Sequence, residues 1–160
     1  MNQPKYLYKS EPLCKHFEFI SEGVKGKIRK MVEYTETDAE GIYNLGFGDY
    51  DEKTKTIDDI NVTNNGDSQK VLATVASTIY SFIKKYPNAT IFATGSTKAR
   101  TRLYRMGISN NLEEITKDFE VLGFQTDNEE WENFVIGKEY AAFLITKKQN
   151  NEIRQDTRTK

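Results

Sequence analysis

The sequence is poor in the residues that most readily announce a chemistry. Cys14 is the only cysteine, which excludes a disulfide within the chain and any cysteine-rich metal centre. His16 is the only histidine, and no Gly-x-Ser-x-Gly elbow accompanies it, so a serine triad has little support. Lys15 and His16 beside Cys14 could lower its thiol pKa, but an ordinary thiol is the simpler reading. Asp49, Asp51, Asp58 and Asp59 gather around an expected hairpin without the spacing of a calcium loop, so no metal is expected there. No apolar run reaches the roughly 18 positions of a membrane helix. Lys5 and Lys9 near the start are not followed by the apolar stretch of a secretory signal. A cytoplasmic protein in a reducing compartment, away from membranes, is the expectation.

What is present is ample core material and an uneven charge. The 160 residues fit one domain, expected over 1–146 with a polar tail over 147–160. Nine tyrosines and nine phenylalanines supply large buried surfaces. The net charge of −1 conceals a basic stretch from Lys98 to Arg105 and an acidic one from Glu113 to Glu132. Such asymmetry can steer an anionic partner to one side, although a mixed surface needs no partner.

The first third alternates like antiparallel sheet: Phe17, Phe19 and Ser21, then Ile28 to Thr35, then Tyr43, Leu45 and Phe47. Gly46 and Gly48 fall on the other face of their strand, which points to a bulge or a close backbone approach. Thr56 to Val62 completes a meander of about four strands. The period then changes. After an Asn64–Ser68 turn, with Asp67 or Ser68 as cap, Val71, Leu72, Val75, Ile79, Phe82 and Ile83 form a wide helical stripe. Pro87 ends that helix through its effect on Tyr86. Ala89 to Thr94 reads as a buried strand, which makes a βαβ-type unit. A second helix follows, with Ala99, Leu103 and Met106 toward the sheet and Gly107 at its C-terminal end. Leu112, Ile115 and Phe119 indicate a short helix. Val121–Phe124, Trp131–Val135 and Tyr140–Thr146 read as late strands. Trp131 and Phe134, near Tyr140, are expected in the core, with an aromatic platform for bases as the alternative. The class is α/β (α+β): a meander, then βαβα, then late strands.

The segment richest in chemistry is the second helix and the turn before it. Lys98, Arg102 and Arg105 are spaced four and three apart and share one helical face, with Arg100 and Tyr104 at its flank. Gly95, Ser96 and Thr97 bring backbone N–H groups to the helix start, where the dipole also favours anions. Arginine suits phosphate because its planar fork donates two parallel hydrogen bonds. The turn is not a phosphate-binding P-loop, since the glycine spacing and the Lys-Ser/Thr ending are missing. A solvated cationic face, or pairing with the acids that follow, is the plain alternative.

The element order and the phrase Arg102-Leu103-Tyr104-Arg105-Met106-Gly107-Ile108 resemble the N-acetyltransferase fold, from about Ile28 to Thr146. That resemblance implies acetyl-coenzyme A held by the loop before the central helix, here Asn65, Gly66 and Asp67. It also implies Tyr104 as the acid that protonates the departing thiolate. Gly95 to Tyr104, preceded by Asn64-Asn65-Gly66-Asp67 and Val71–Val75, is similar to a more specific group: small proteins of unknown function found mainly in Bacteroidota. That likeness spans nearly the whole chain and implies no activity.

Three functions follow as expectations. The first is a non-catalytic module that engages an anionic ligand, a nucleotide or a nucleic-acid backbone through Gly95, Ser96, Thr97, Lys98, Arg100, Arg102 and Arg105. The second is a coenzyme A-dependent acyltransferase using Tyr104. The third is a protein partner whose acidic Glu113–Glu132 surface docks on a basic target.

Overall fold

The computed structural model describes residues 4–58 and 63–148. Among these the chain forms a single sheet of nine strands and three helices, all of the helices on one face of the sheet. The class expected from the sequence, mixed α and β, is the class observed. The meander is β1 (Lys9–Ser10), β2 (His16–Gly23), β3 (Gly26–Glu36), β4 (Ile42–Asp51) and β5 (Thr56–Asp58), with antiparallel neighbours throughout. The expected continuation of β5 to Val62 lies outside the described residues, as do Asp59 and most of the polar tail. The crossing helix α1 (Ser68–Lys85) leads to β6 (Thr90–Ala93), which lies parallel to the first half of β4. Then come α2 (Lys98–Asn110), α3 (Leu112–Asp118), β7 (Phe119–Gln125), β8 (Glu130–Asn133) and β9 (Ala142–Lys147). The strand order is β1-β2-β3-β4-β6-β9-β7-β8, with β5 attached to the far half of β4.

The alternation read from the sequence decides which face is buried. Phe17, Phe19, Val32, Tyr34, Leu45, Phe47, Ile91, Phe143 and Ile145 point to the helices and are almost fully covered. From α1, the stripe from Val71 to Ile83 closes over them, with the Phe82 ring stacked on Tyr34 at 4.2 Å and Thr78 hydrogen-bonded to the Tyr34 hydroxyl. Burial pushes that phenol well above its ordinary pKa. At roughly 25 cal/mol per Å² of apolar surface, nine such side chains dominate the stability of the fold. The extended N-terminal segment runs beside α1, tied by the Tyr6 amide to Thr74, the Tyr8 hydroxyl to Ser81, and the Tyr86 hydroxyl to the Leu13 carbonyl.

Several expectations need correction. The helix from Lys98 continues through Gly107 to Asn110, and Gly107 packs against Leu72 inside it rather than ending it. Trp131 is not core: it is 40% exposed on the sheet face that carries no helix among the described residues, against Phe92 and Phe124. Phe134 and Tyr140 do lie in the core. Of the two β4 glycines, Gly48 marks a close approach, because a Cβ there would overlap the Asp58 carbonyl, whereas Gly46 faces open space.

Candidate functional site

The second helix sorts its cations into two sets. Its start is fixed by hydroxyls: Thr97 is the N-cap, its Oγ1 accepting from the Arg100 amide at 3.2 Å, and the Gly95 amide donates to Thr101 Oγ1 at 3.0 Å. That start sets the rotation of everything after it. Residues 100, 104, 107 and 108 turn inward, an i, i+4, i+7, i+8 face. The face expected toward the sheet, Ala99, Leu103 and Met106, instead borders a groove, though Leu103 still touches the core from its edge. The sequence hid this because an arginine, a tyrosine and a glycine occupy the buried stripe.

Arg100 and Tyr104 are on the inner side for a reason that lies in the sheet. β6 pairs with β4 over Ile42–Leu45 and β5 pairs with it over Asp49–Asp51, so neither reaches Gly46, Phe47 or Gly48. A buried carbonyl without a partner costs about 1–3 kcal/mol. Arg100 meets that need: it is 4% exposed, donates to the Phe47 carbonyl, and lies over the Phe47 ring at 4.8 Å. The Tyr104 hydroxyl donates to the Leu45 carbonyl at 3.3 Å. Close by on the sheet, Lys30 is buried and paired with Asp49 at 2.5 Å, and Thr63 donates to the other Asp49 oxygen. Of the aspartates expected in a solvated turn, Asp49 is therefore half-buried and ion-paired, and nothing in the sequence pattern distinguished it.

Lys98, Arg102 and Arg105 stand on the outer side, as their spacing implied. With Ala99, Leu103 and Met106 they form one wall of a groove of about 1050 Å³, whose floor begins at Thr94 and Gly95. Lys98 and Arg102 are exposed and have no acidic partner among the described residues. Arg105 leans on the far wall, 3.5 Å from the Lys138 carbonyl and 4.0 Å from the largely exposed Glu139 carboxylate. Ser96 sits exposed at the turn and makes contacts of its own. Thus six of the seven residues named for anion binding surround one groove, and Arg100 faces away from it.

The far wall is Thr126, Glu139, Tyr140 and Ala141. Sequence reasoning missed these residues as site members, since they lie a helix and one or two strands downstream. Tyr140 holds this wall in shape. Its hydroxyl donates to Glu132 at 2.6 Å and accepts from the Val135 amide at 3.1 Å, while Lys138 reaches the same carboxylate at 2.9 Å. The hydrogen bond from Lys138, then that from Tyr140, hold the Glu132 carboxyl below its usual pKa; burial and Glu132 push the Tyr140 phenol up. Gly123 leaves room for the Tyr140 ring, which any side chain there would overlap.

The turn before α1 is differently committed. Asp67 occupies the N-cap position without capping; its carboxylate accepts from Tyr6 at 2.6 Å and Ser21 at 2.5 Å. Buried Asn65 accepts from the Lys25 amide and donates to Ser21 and the Gly26 carbonyl, and the Gly66 amide goes to Asn64. These bonds bind the turn to the β2–β3 hairpin. His16 lies at the surface 3.8 Å from Glu33. The acids from Glu113 to Glu132 are partly employed as well: Glu113 and Glu114 occupy the first turn of α3, where the helix dipole favours them, and Glu132 is in the Tyr140 network.

A family of unknown function, DUF6934, matches residues 2–148. The chain belongs to this family. The match takes in every strand and helix described here, the groove and both of its walls included. No curated protein and no solved structure matches the chain. Among the described residues no helix is long and apolar enough to cross a membrane, and no cluster of three or more His, Cys, Asp or Glu is suited to a metal ion.

Proposed function

We propose that this member of DUF6934 is a binding module without catalysis, engaging an anionic ligand or a nucleic-acid or nucleotide phosphate along α2. The observation that carries the reading is the pair Lys98 and Arg102. Both stand exposed on the wall of a 1050 Å³ groove with no carboxylate to neutralise them among the described residues. Three cations line the groove against the single carboxylate of Glu139, so its field is positive. Arg105 can exchange its 4.0 Å contact with Glu139 for a ligand at small cost, because exposed pairs contribute about 0–1 kcal/mol. Ser96 and Thr97 stand at the same end of the groove.

An N-acetyltransferase-like scaffold belongs to this reading. It is supported by β4 and β6 lying parallel on either side of α1 in the chain, followed by α2 and an antiparallel β9 and β7. An acyltransferase on that scaffold is less well supported. Around Asn65 to Asp67 the coenzyme's pyrophosphate would meet the Asp67 carboxylate and an amide already bonded to Asn64. The Tyr104 hydroxyl is directed at a backbone carbonyl in the core and is 7% exposed. The residues present do not fit that cofactor.

The test is titration of fluorescent pyrophosphate-bearing nucleotide and oligonucleotide probes at several salt concentrations, with the wild type and with Lys98→Glu/Arg102→Glu. Binding that weakens with a logarithmic salt slope of about −0.7 to −0.9 per phosphate contact, and vanishes in the variant, is expected. Equal binding by the variant, or none at low salt, overturns the proposal.

A further inference from the structure

We infer that the groove takes an acidic amphipathic helix from a protein partner; this rests on the anion-binding reading and narrows it. The wall formed by α2 carries two stripes with the same period. Lys98, Arg102 and Arg105 make one, and Ala99, Leu103 and Met106, each one residue later, make the other. Side by side, they extend roughly 12 Å along the helix at 1.5 Å per residue. Met106 and Ala99 are both exposed and line the groove, so the apolar stripe is open to a ligand beside the cationic one. A helix with carboxylates at i, i+4 and i+7 beside an apolar row has the matching period, so each stripe meets its complement along the whole length.

The groove, about 1050 Å³, has room for a helix about 10 Å across beside the roughly 12 Å of the wall. Nucleic acid fits less well for a chemical reason. Single strands gain about 1–3 kcal/mol for each base stacked on an aromatic face. The ring lining this groove, Tyr140, is 6% exposed and packed on Phe134 and Phe143, and the rest of the apolar lining is aliphatic. The far wall adds the Thr126 hydroxyl and one carboxylate, that of Glu139, which faces Arg105 at 4.0 Å.

The experiment compares fluorescein-labelled probes by anisotropy at low salt. One is a synthetic peptide of about 14 residues, near the length at which an isolated helix begins to form, with glutamates at i, i+4 and i+7 beside leucines. The others are a scrambled peptide of equal composition and an oligothymidylate of similar charge. The expected result is that the patterned peptide binds about tenfold more tightly than either. Met106→Gln lowers that preference, and Arg102→Glu weakens every probe. Equal affinity for patterned and scrambled peptides, or tighter binding of oligothymidylate with Met106→Gln silent, overturns the inference while anion binding stands. Probes that bind but ignore Arg102→Glu, or that do not bind at all, remove the anion-binding reading itself. Circular dichroism of each variant, matching the wild type, keeps a folding defect from imitating these losses.

Discussion

Arg100 and Arg102 are two residues apart on one helix and have opposite fates. Arg100 is enclosed and bonded to the Phe47 carbonyl, with its charge spread over an aromatic ring; Arg102 reaches into an open groove with no carboxylate beside it among the described residues. The difference comes from the sheet. Where β4 lacks a neighbour on one edge, a carbonyl needs a donor, and the helix turn facing it supplies one. Guanidinium groups in a basic run are therefore not equivalent. Those facing an unfilled backbone position are structural, and the remainder are available to a ligand.

The contrast can be broken most severely at the other committed polar region. Gly23→Ala places a Cβ into the Asn65 backbone carbonyl, which the Val24 amide also uses, so the hairpin and the α1 turn must separate. A loss of about 4 kcal/mol or more is expected, read as a lowered urea midpoint. Next comes the helix itself. Arg100→Met strands the Phe47 carbonyl and is expected to cost about 2–3 kcal/mol, whereas Arg102→Met changes stability by less than about 0.5 kcal/mol. Equal effects in the two variants would erase the distinction. Tyr104→Phe removes one long hydrogen bond to the Leu45 carbonyl, so about 1 kcal/mol is expected in the same assay.

The smallest effect concerns the far wall and its pH dependence. The Glu132 carboxyl titrates below its usual value because Lys138 and Tyr140 donate to it. A carboxyl depressed in the folded state stabilises above its unfolded pKa, and this contribution fades as pH falls through the folded value. Trp131, the only tryptophan, adjoins Glu132 in β8. Its fluorescence is expected to shift on the acid side of about pH 4. Glu132→Gln is expected to flatten that shift, and an identical titration would exclude Glu132 as its source.

Much of the architecture was legible because alternation and helical period report burial directly. The strands around Phe17, Val32 and Phe47 and the α1 stripe needed nothing else. The rotation of α2 was not legible. An Arg, a Tyr and a Gly on its inner side look polar or neutral, and only the gap on β4 explains them. Half of the groove was hidden for another reason: Thr126, Tyr140 and Ala141 reach Lys98 through sheet pairing between β6, β9 and β7, which no local pattern encodes. The spacing of Lys98, Arg102 and Arg105 did place them together, since a shared helical face depends only on the period. Trp131 was misread because a large aromatic ring is usually buried, and the uncovered side of the sheet has no signature in its own strand.

The most direct measurement follows the arginine side-chain Nε–Hε resonances by NMR while inorganic pyrophosphate is added at low salt. The Arg102 signal is expected to move with the titration and to return on adding salt, with Arg100 unmoved throughout. Movement of Arg100, or an Arg102 signal indifferent to pyrophosphate, would contradict the division of α2 into a structural side and a binding side.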